Sequence, residues 1–261
     1  MYFTMDLIAY SKSERVANIT INRPEKRNAL NLELVTLLTK AFDAASEDED
    51  VKVIILKAIG DVFSAGADLE YLQQLQNNTN EENLSDTIAL KELFLLIYRS
   101  PKLVIAQVEG HAIAGGCGLA SVCDIVFSVP EAKFGYTEVK IGFIPALVTC
   151  FLVRKLGEGR AKELLLSGDL IDANTASDYG LINFIVNKED ISISVAAYAQ
   201  KIVQGTSANS IALSKELLIS VQDLSLDEGL KLAVGLNVQT RSSVECKRGI
   251  AAFLNKEKLE W

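Results

Sequence analysis

Residues Gly110 to Asp124 read Gly-His-Ala-Ile-Ala-Gly-Gly-Cys-Gly-Leu-Ala-Ser-Val-Cys-Asp, and a single carboxylate, Glu138, follows from a nearby polar loop. The Gly115-Gly116 pair stands between an apolar strand and the start of an Ala-rich helix. Glycine there lets backbone N–H groups face a pocket without side-chain cover, and a helix N-terminus favours developing negative charge. That is the outline of an oxyanion site. A carboxylate beside it supplies the proton transfer that such a site serves.

The elements that must hold these residues read as α/β. Asn18 to Ile21 and Val51 to Leu56 are β-branched runs with a helical pattern from Asn31 to Ala45 between them, which implies a right-handed crossover in a parallel sheet. Leu103 to Val108 and Ile125 to Ser128 read as strands on either side of the glycine-rich segment. Tyr71 to Ser85, rich in Gln, Asn and Glu, reads as a solvated helix end and a mobile loop. From Val153 onward the pattern is helical: Gly159 to Leu166, Asp172 to Tyr179, Ile191 to Gln204, Ser207 to Ile219, Leu226 to Thr240 and Ser243 to Asn255. The expected organisation is an α/β core over residues 1–200 and a helical region over 201–261.

Composition narrows the function. The chain has 261 residues, 49% of them hydrophobic, enough for one large core. Its net charge of −8 argues against nucleic acid as a partner. Helix N-termini and local lysines can still hold a small anionic ligand. Cys117, Cys123, Cys150 and Cys246 lie in apolar stretches without C-x-x-C spacing and read as buried thiols of a reducing compartment. The only histidine, His111, reads as packed against the sheet with one ring nitrogen bonded to backbone. No signal peptide or membrane span is visible, so a cytoplasmic location is expected.

Arg23-Pro24-Glu25-Lys26-Arg27-Asn28-Ala29-Leu30-Asn31, Phe63-Ser64-Ala65-Gly66-Ala67-Asp68-Leu69, the Gly110 to Asp124 segment and Phe134-Gly135-Tyr136-Thr137-Glu138 resemble, in that order, the enoyl-CoA hydratase/isomerase (crotonase) family. The likeness continues through Leu166-Ser167-Gly168, Ala176 and Gly180-Leu181 to Gly249-Ile250-Ala251-Ala252-Phe253-Leu254-Asn255-Lys256. It implies a crotonase-like core of repeated ββα units, with carboxy-terminal helices that assemble a homotrimer or a dimer of trimers. It implies further that the N–H groups of Ala67 and Gly115 hold an acyl-CoA thioester carbonyl as it becomes an enolate. Preorganised donors of this kind contribute about 3 to 4 kcal/mol each. The substrate's coenzyme A would meet Lys26 and Arg27 at its phosphates, with Ala29 close by. The backbone from Ala65 through Asp68 to Leu69 would lie around the adenine, and Lys256, of this or a neighbouring subunit, near the nucleotide end. Asp68 has a second reading, as the cap of the helix that follows it. No metal and no cofactor beyond this substrate-borne coenzyme A are expected.

The chain departs from the resemblance at Gly118, where typical hydratases of the family have a first glutamate, the second falling at Glu138. Two carboxylates suit hydration, because one handles water while the other handles the α-carbon. Moving a proton between carbons needs one. Glu138 alone therefore fits Δ3,Δ2-enoyl-CoA isomerisation as well as hydration of a short or branched enoyl-CoA of the methylglutaconyl-CoA kind. A non-catalytic acyl-CoA-binding member is the third reading. Glu70, Glu81, Glu82 and Asp86 could bring another polar group over the site, against a bland reading as a solvated acidic stretch. Ala146-Leu147-Val148-Thr149-Cys150 should make the pocket floor apolar. Ala146 stands near the place of the nucleophilic aspartate of the family's dehalogenases, and naphthoate synthases lack the glutamate at 138, so both chemistries are disfavoured.

Overall fold

The computed structural model describes residues 2–5, 7–259 and 261. The chain begins with an antiparallel meander of β1 (Tyr2–Met5), β2 (Ile8–Ser13) and β3 (Val16–Ile21). Helix α1 (Leu32–Glu47) starts where the Asn31 side chain accepts from Leu34 N–H, 2.9 Å away, and buries Leu34, Val35, Leu38, Ala41, Phe42 and Ala45 along one stripe. It leads to β4 (Val53–Ala58), which pairs parallel with β3, as the sequence pattern requires.

Three ββα units follow, and the two strands of each go to different sheets. The first strands, β4, β6 (Leu103–Val108) and β8 (Ile125–Ser128), join a sheet of order β1-β2-β3-β4-β6-β8-β11, closed by β11 (Phe184–Ile185). The second strands, β5 (Val62–Ser64), β7 (His111–Ile113) and β9 (Lys133–Gly135), form a smaller sheet with β10 (Ile171–Asp172) in the order β10-β9-β7-β5. Val53 to Leu56 are buried throughout, the pattern of a central parallel strand covered on both faces.

The helices of the units are α2 (Leu69–Leu75) with α3 (Asn80–Arg99), then α4 (Gly115–Ser121), then α5 (Ala146–Ser167). Residues 80–85, expected as mobile loop, are the first turns of α3. A capping box closes them: Thr79 accepts from Glu82 N–H, and the Glu82 carboxylate accepts from Thr79 N–H at 2.8 Å. Helix α5 is broken at Gly157, where φ is 75° and ψ 165°. Its second half packs Ala161, Leu164 and Leu165 into the core.

Helices α6 (Ala173–Tyr179), α7 (Ile191–Gly205), α8 (Ala208–Ser220), α9 (Leu226–Ser242) and α10 (Val244–Asn255) complete the chain. The boundary expected at 200/201 falls inside α7, which packs on β3, β4, β6 and β8 through Ile191, Val195, Ala199 and Val203. The buried Lys52 ammonium ties the end of α7 to β4 by donating to the carbonyls of Val203 and Thr206. Among the described residues no helix is long and apolar enough to cross a membrane.

Candidate active site

β5, β7 and β9 are neighbouring parallel strands, and each runs directly into one piece of the candidate site. β5 delivers Ala65 to Asp68, β7 delivers Ala114 and Gly115, and β9 delivers Tyr136 to Glu138. The order of the sheet therefore sets Gly115 between Ala67 and Glu138. Carboxyl ends of parallel strands are where α/β sheets hold ligands, because the loops there converge while their N–H groups stay free.

The segment from Arg27 to Leu30 lies along the β5 exit. Ala65 N–H donates to Arg27 O at 3.0 Å, Leu30 N–H to Gly66 O at 2.7 Å, and Asp68 N–H to Leu30 O at 2.9 Å. In this parallel bridge the bracketed residue, Ala67, turns its own N–H and C=O to the opposite side. Gly66, with φ of +87°, packs onto the turn after β7. A Cβ there would stand 2.7 Å from Ala114 Cβ and 3.2 Å from Gly115 N. Gly115 opens α4, so its N–H belongs to the first helical turn, which has no partner within the helix. Gly116 meets Ser64 as closely: an added Cβ would lie 2.4 Å from the Ser64 carbonyl oxygen. Ala114, at φ 51° and ψ −127°, makes the abrupt change from strand to helix.

Asp68 caps α2 as its second reading required, Oδ1 accepting from Glu70 N–H at 3.1 Å and Tyr71 N–H at 3.3 Å. Its Oδ2 is ion-paired at 2.8 Å with Arg23, and the two side chains are only 9% and 11% exposed. Burial pushes the Asp68 carboxyl up, yet the Arg23 guanidinium and the Tyr71 N–H together hold it below the usual carboxylate range. Arg23 also donates to Ala29 O at 2.9 Å. Asn28, fully buried at φ 55°, accepts from Arg23 N–H and donates to Ile59 O and Val62 O. Arg23 and Asn28 thus organise the site, though neither was singled out from the sequence; the signal was two polar residues fixed within an otherwise loop-like string.

Glu138 begins a 3-10 turn, Glu138–Ile141, and its carbonyl accepts from Phe143 N–H at 3.0 Å. Its Oε2 is buried without a protein partner. Burial raises its pKa above the usual glutamate value, and a bond from its own N–H offsets part of this. Gly118 lies one turn into α4 from Gly115 and is buried, as are Phe94 and Val148.

The other expected site residues are more dispersed. Lys26 Nζ pairs with Glu70 at 2.7 Å on an exposed surface. Arg27 and Leu69 are exposed, and Ala29 is buried. Lys256 ends α10 at φ 56°. The ties of α10 lie elsewhere: Gly249 packs on Trp261, whose carbonyl accepts from Arg15 before β3, whereas the site loops follow the strand ends. Glu82 and Asp86 are engaged, with Thr79 and the Tyr71 hydroxyl, and Glu70 with Lys26. His111 is exposed rather than packed away, and its Nδ1 accepts from Lys133 N–H at 3.1 Å. Of the four thiols only Cys117 and Cys123 are buried, while Cys150 is exposed on α5. Burial pushes Cys117 and Cys123 each up to about 12, which favours the neutral thiol at both. Among the described residues no three His, Cys, Asp or Glu side chains gather as a metal-ligand set.

Two sheets joined by repeated ββα units, with the first turn of α4 and a half-buried glutamate at adjacent strand ends, define an enzyme fold of the crotonase type. The enoyl-CoA hydratase/isomerase family model matches residues 11–261, and the chain belongs to that family. It is 41% identical to a Thermus thermophilus protein described as "Putative enoyl-CoA hydratase", over 92% of this chain and 95% of that one. It is 35% identical to the crotonyl-CoA hydratase of Syntrophomonas wolfei, over 96% of both chains. Among solved structures, a Legionella pneumophila "putative enoyl CoA hydratase/isomerase (crotonase)" superposes with a TM-score of 0.90 at 38% identity, over 98% of each chain.

Proposed function

We propose that the protein binds an acyl-CoA thioester, holds the carbonyl oxygen between the N–H groups of Ala67 and Gly115 as it becomes an enolate, and moves the proton at the α-carbon with Glu138. The observation that carries this reading is the buried, unpartnered Glu138 Oε2, with its raised pKa, one strand away from the free first turn of α4. A carboxylate tuned upward is matched to taking a proton and giving it back near neutral pH.

Two reactions share this first step or its reverse. From a 3-enoyl thioester, Glu138 takes a C2 proton, the electron pair forms a dienolate, and return of the proton to C4 leaves the 2-enoyl thioester. From a 2-enoyl thioester, water adds at C3 and the resulting enolate takes its proton at C2. The hydratase names of the relatives support the second. The substrate proposed for it is a short or branched enoyl-CoA, such as a methylglutaconyl-CoA-like one.

Coenzyme A enters with the substrate, and no separate cofactor is assigned. Lys26 and Arg27 are proposed for its phosphates, Ala29 and the backbone of Ala65, Asp68 and Leu69 for its adenine side, and Lys256 of a neighbouring subunit for the nucleotide end. Assembly as a homotrimer, or a dimer of trimers, accords with the apolar stripe Leu226, Leu230, Val234 and Val238 on α9 and with Phe253, 84% exposed, on α10. The helices beyond residue 200 would then be the assembling part. Free thiols without disulfides among the described residues accord with a cytoplasmic location.

The test is deuterium incorporation from heavy water into crotonyl-CoA and a 3-enoyl-CoA, with product analysis. Glu138→Gln should leave acyl-CoA binding intact and cost at least about 2 kcal/mol of transition-state stabilisation, roughly 30-fold in rate. Unchanged turnover would remove Glu138 from the mechanism. Tight acyl-CoA binding with exchange into neither substrate would make the protein a binding member of the fold.

A further inference from the structure

The carboxyl end of α4 borders a cavity apart from the candidate site. α4 runs seven residues from Gly115, about 10 Å of helix leading away from the strand ends that carry Ala67 and Glu138. Just beyond it the Asp124 carboxylate accepts from Val104 N–H at 2.7 Å, so this end of the helix lies at the amino ends of β6 and β8. There α3, α5, α8 and the turn after α8 enclose a cavity of about 360 Å³ against residues 121–124, a volume in the range of small-molecule sites. Part of its lining is apolar: the Tyr98 and Phe151 rings meet edge to face at 5.2 Å, and Leu218 and Ile219 of α8 join them.

The charges in that lining are unequal. Arg154, Lys155 and Lys215 stand against one carboxylate, Asp124. Lys215 takes that carboxylate at 2.6 Å, and Arg154 pairs with Asp223 at 2.7 Å. Lys155 has no such partner: its ammonium donates to Ser121 O at 2.9 Å and Cys123 O at 3.2 Å, and among the described residues no carboxylate pairs with it. An ammonium has three donors, so one is left. Burial pushes the Lys155 pKa below the usual lysine value. A cation taken from water without a counter-ion is destabilising, and an anion entering the cavity offsets that penalty.

We propose that this cavity is a second binding site, for a free carboxylate with a medium-length apolar body, the carboxylate held by the Lys155 ammonium and the body lying against Tyr98, Phe151 and Leu218. With Arg154 and Lys215 already paired, one donor remains, enough for a carboxylate oxygen and short of the several that hold a phosphate. The apolar lining adds affinity that a small inorganic anion has no surface to use. The proposal stands apart from the enolate reading, since none of these residues belongs to the groups assigned to the thioester oxygen, the proton or coenzyme A.

The experiment is a calorimetric titration of sodium octanoate into the full chain, alone and with saturating butyryl-CoA, a thioester without a double bond. Octanoate should bind with one equivalent per chain and with the same affinity in both, while octan-1-ol, the same body without the charge, should bind about 10-fold more weakly or worse. Lys155→Met keeps the length and removes the ammonium, and should weaken octanoate about 10-fold. Because that change also removes a partner of the last α4 carbonyls, a second variant fills the cavity instead: Leu218→Trp, at a side chain 64% exposed, should abolish octanoate binding with an unchanged thermal midpoint. Displacement of octanoate by butyryl-CoA would put it in the acyl-CoA site and overturn the proposal. So would equal binding of octan-1-ol, wild-type affinity in Leu218→Trp or in a folded Lys155→Met, or no binding of octanoate to the wild type.

Discussion

Arg23 and Asp68 form an ion pair at 2.8 Å that joins the loop after β3 to the loop after β5, and the same guanidinium nitrogen also donates to Ala29 O. Since Asp68 follows Ala67 directly, this pair fixes the backbone whose N–H is assigned to the thioester oxygen. Asp68→Ala removes a helix cap and strands a nearly buried guanidinium, and should destabilise the fold by about 2 to 4 kcal/mol in urea unfolding. The Asp68 carboxyl lies below its unfolded value in the folded state. Its contribution is therefore present above the ordinary carboxylate pKa and is lost as pH falls through the lowered one. Asp68→Asn, which keeps the cap, should lose less than Asp68→Ala.

Gly66→Ala and Gly116→Ala test the close approach of the β5 and β7 exits. Both would drive a methyl into backbone, Ile113 O at 2.9 Å for residue 66 and Ser64 O at 2.4 Å for residue 116. Each should cost about 1 to 3 kcal/mol of stability, and the parting of Ala67 from Gly115 should lower kcat about 10²-fold. A variant with wild-type kcat would show that the two N–H groups need not be held together.

The base role proposed for Glu138 requires its ionised form, and burial raises its pKa. The acid limb of kcat/KM should therefore lie above the usual glutamate range, with rate rising as pH climbs through it. In Glu138→Gln the residual rate should lose this limb. A limb that persists in that variant would belong to another group.

The thiols should react in the order of their exposure. With an alkylating reagent at pH 8, Cys150 should label first and Cys246 more slowly, while Cys117 and Cys123, buried and pushed up to about 12, stay unmodified until the protein unfolds. Peptide mapping of the native protein checks this, and labelling of Cys117 with activity retained would contradict the packing around α4.

The long strands and helices were legible because their signals are local. β4 and β6 each open on four apolar residues, Val53 to Leu56 and Leu103 to Ala106, and α1 carries its own cap and stripe. β5, β7 and β9 have three residues each, too short for a period to appear, yet they place the whole site. The start of α3 was masked by its polar composition, although Thr79 and Glu82 had the spacing of a capping box. At the site, Gly115 and Glu138 could be read from residue type in context. The filling of position 118 could not, because Val148 comes from a helix thirty residues further along the chain and meets Gly118 only through packing.

The break in α5 at Gly157 falls between two anchored halves. The half that precedes it sets Val148 and Leu152 into the core, and the half that follows sets Ala161, Leu164 and Leu165 there. A change of axis at a single glycine thus lets one run of helix press two differently inclined faces onto the same interior: the bend is a means of wrapping, not an interruption.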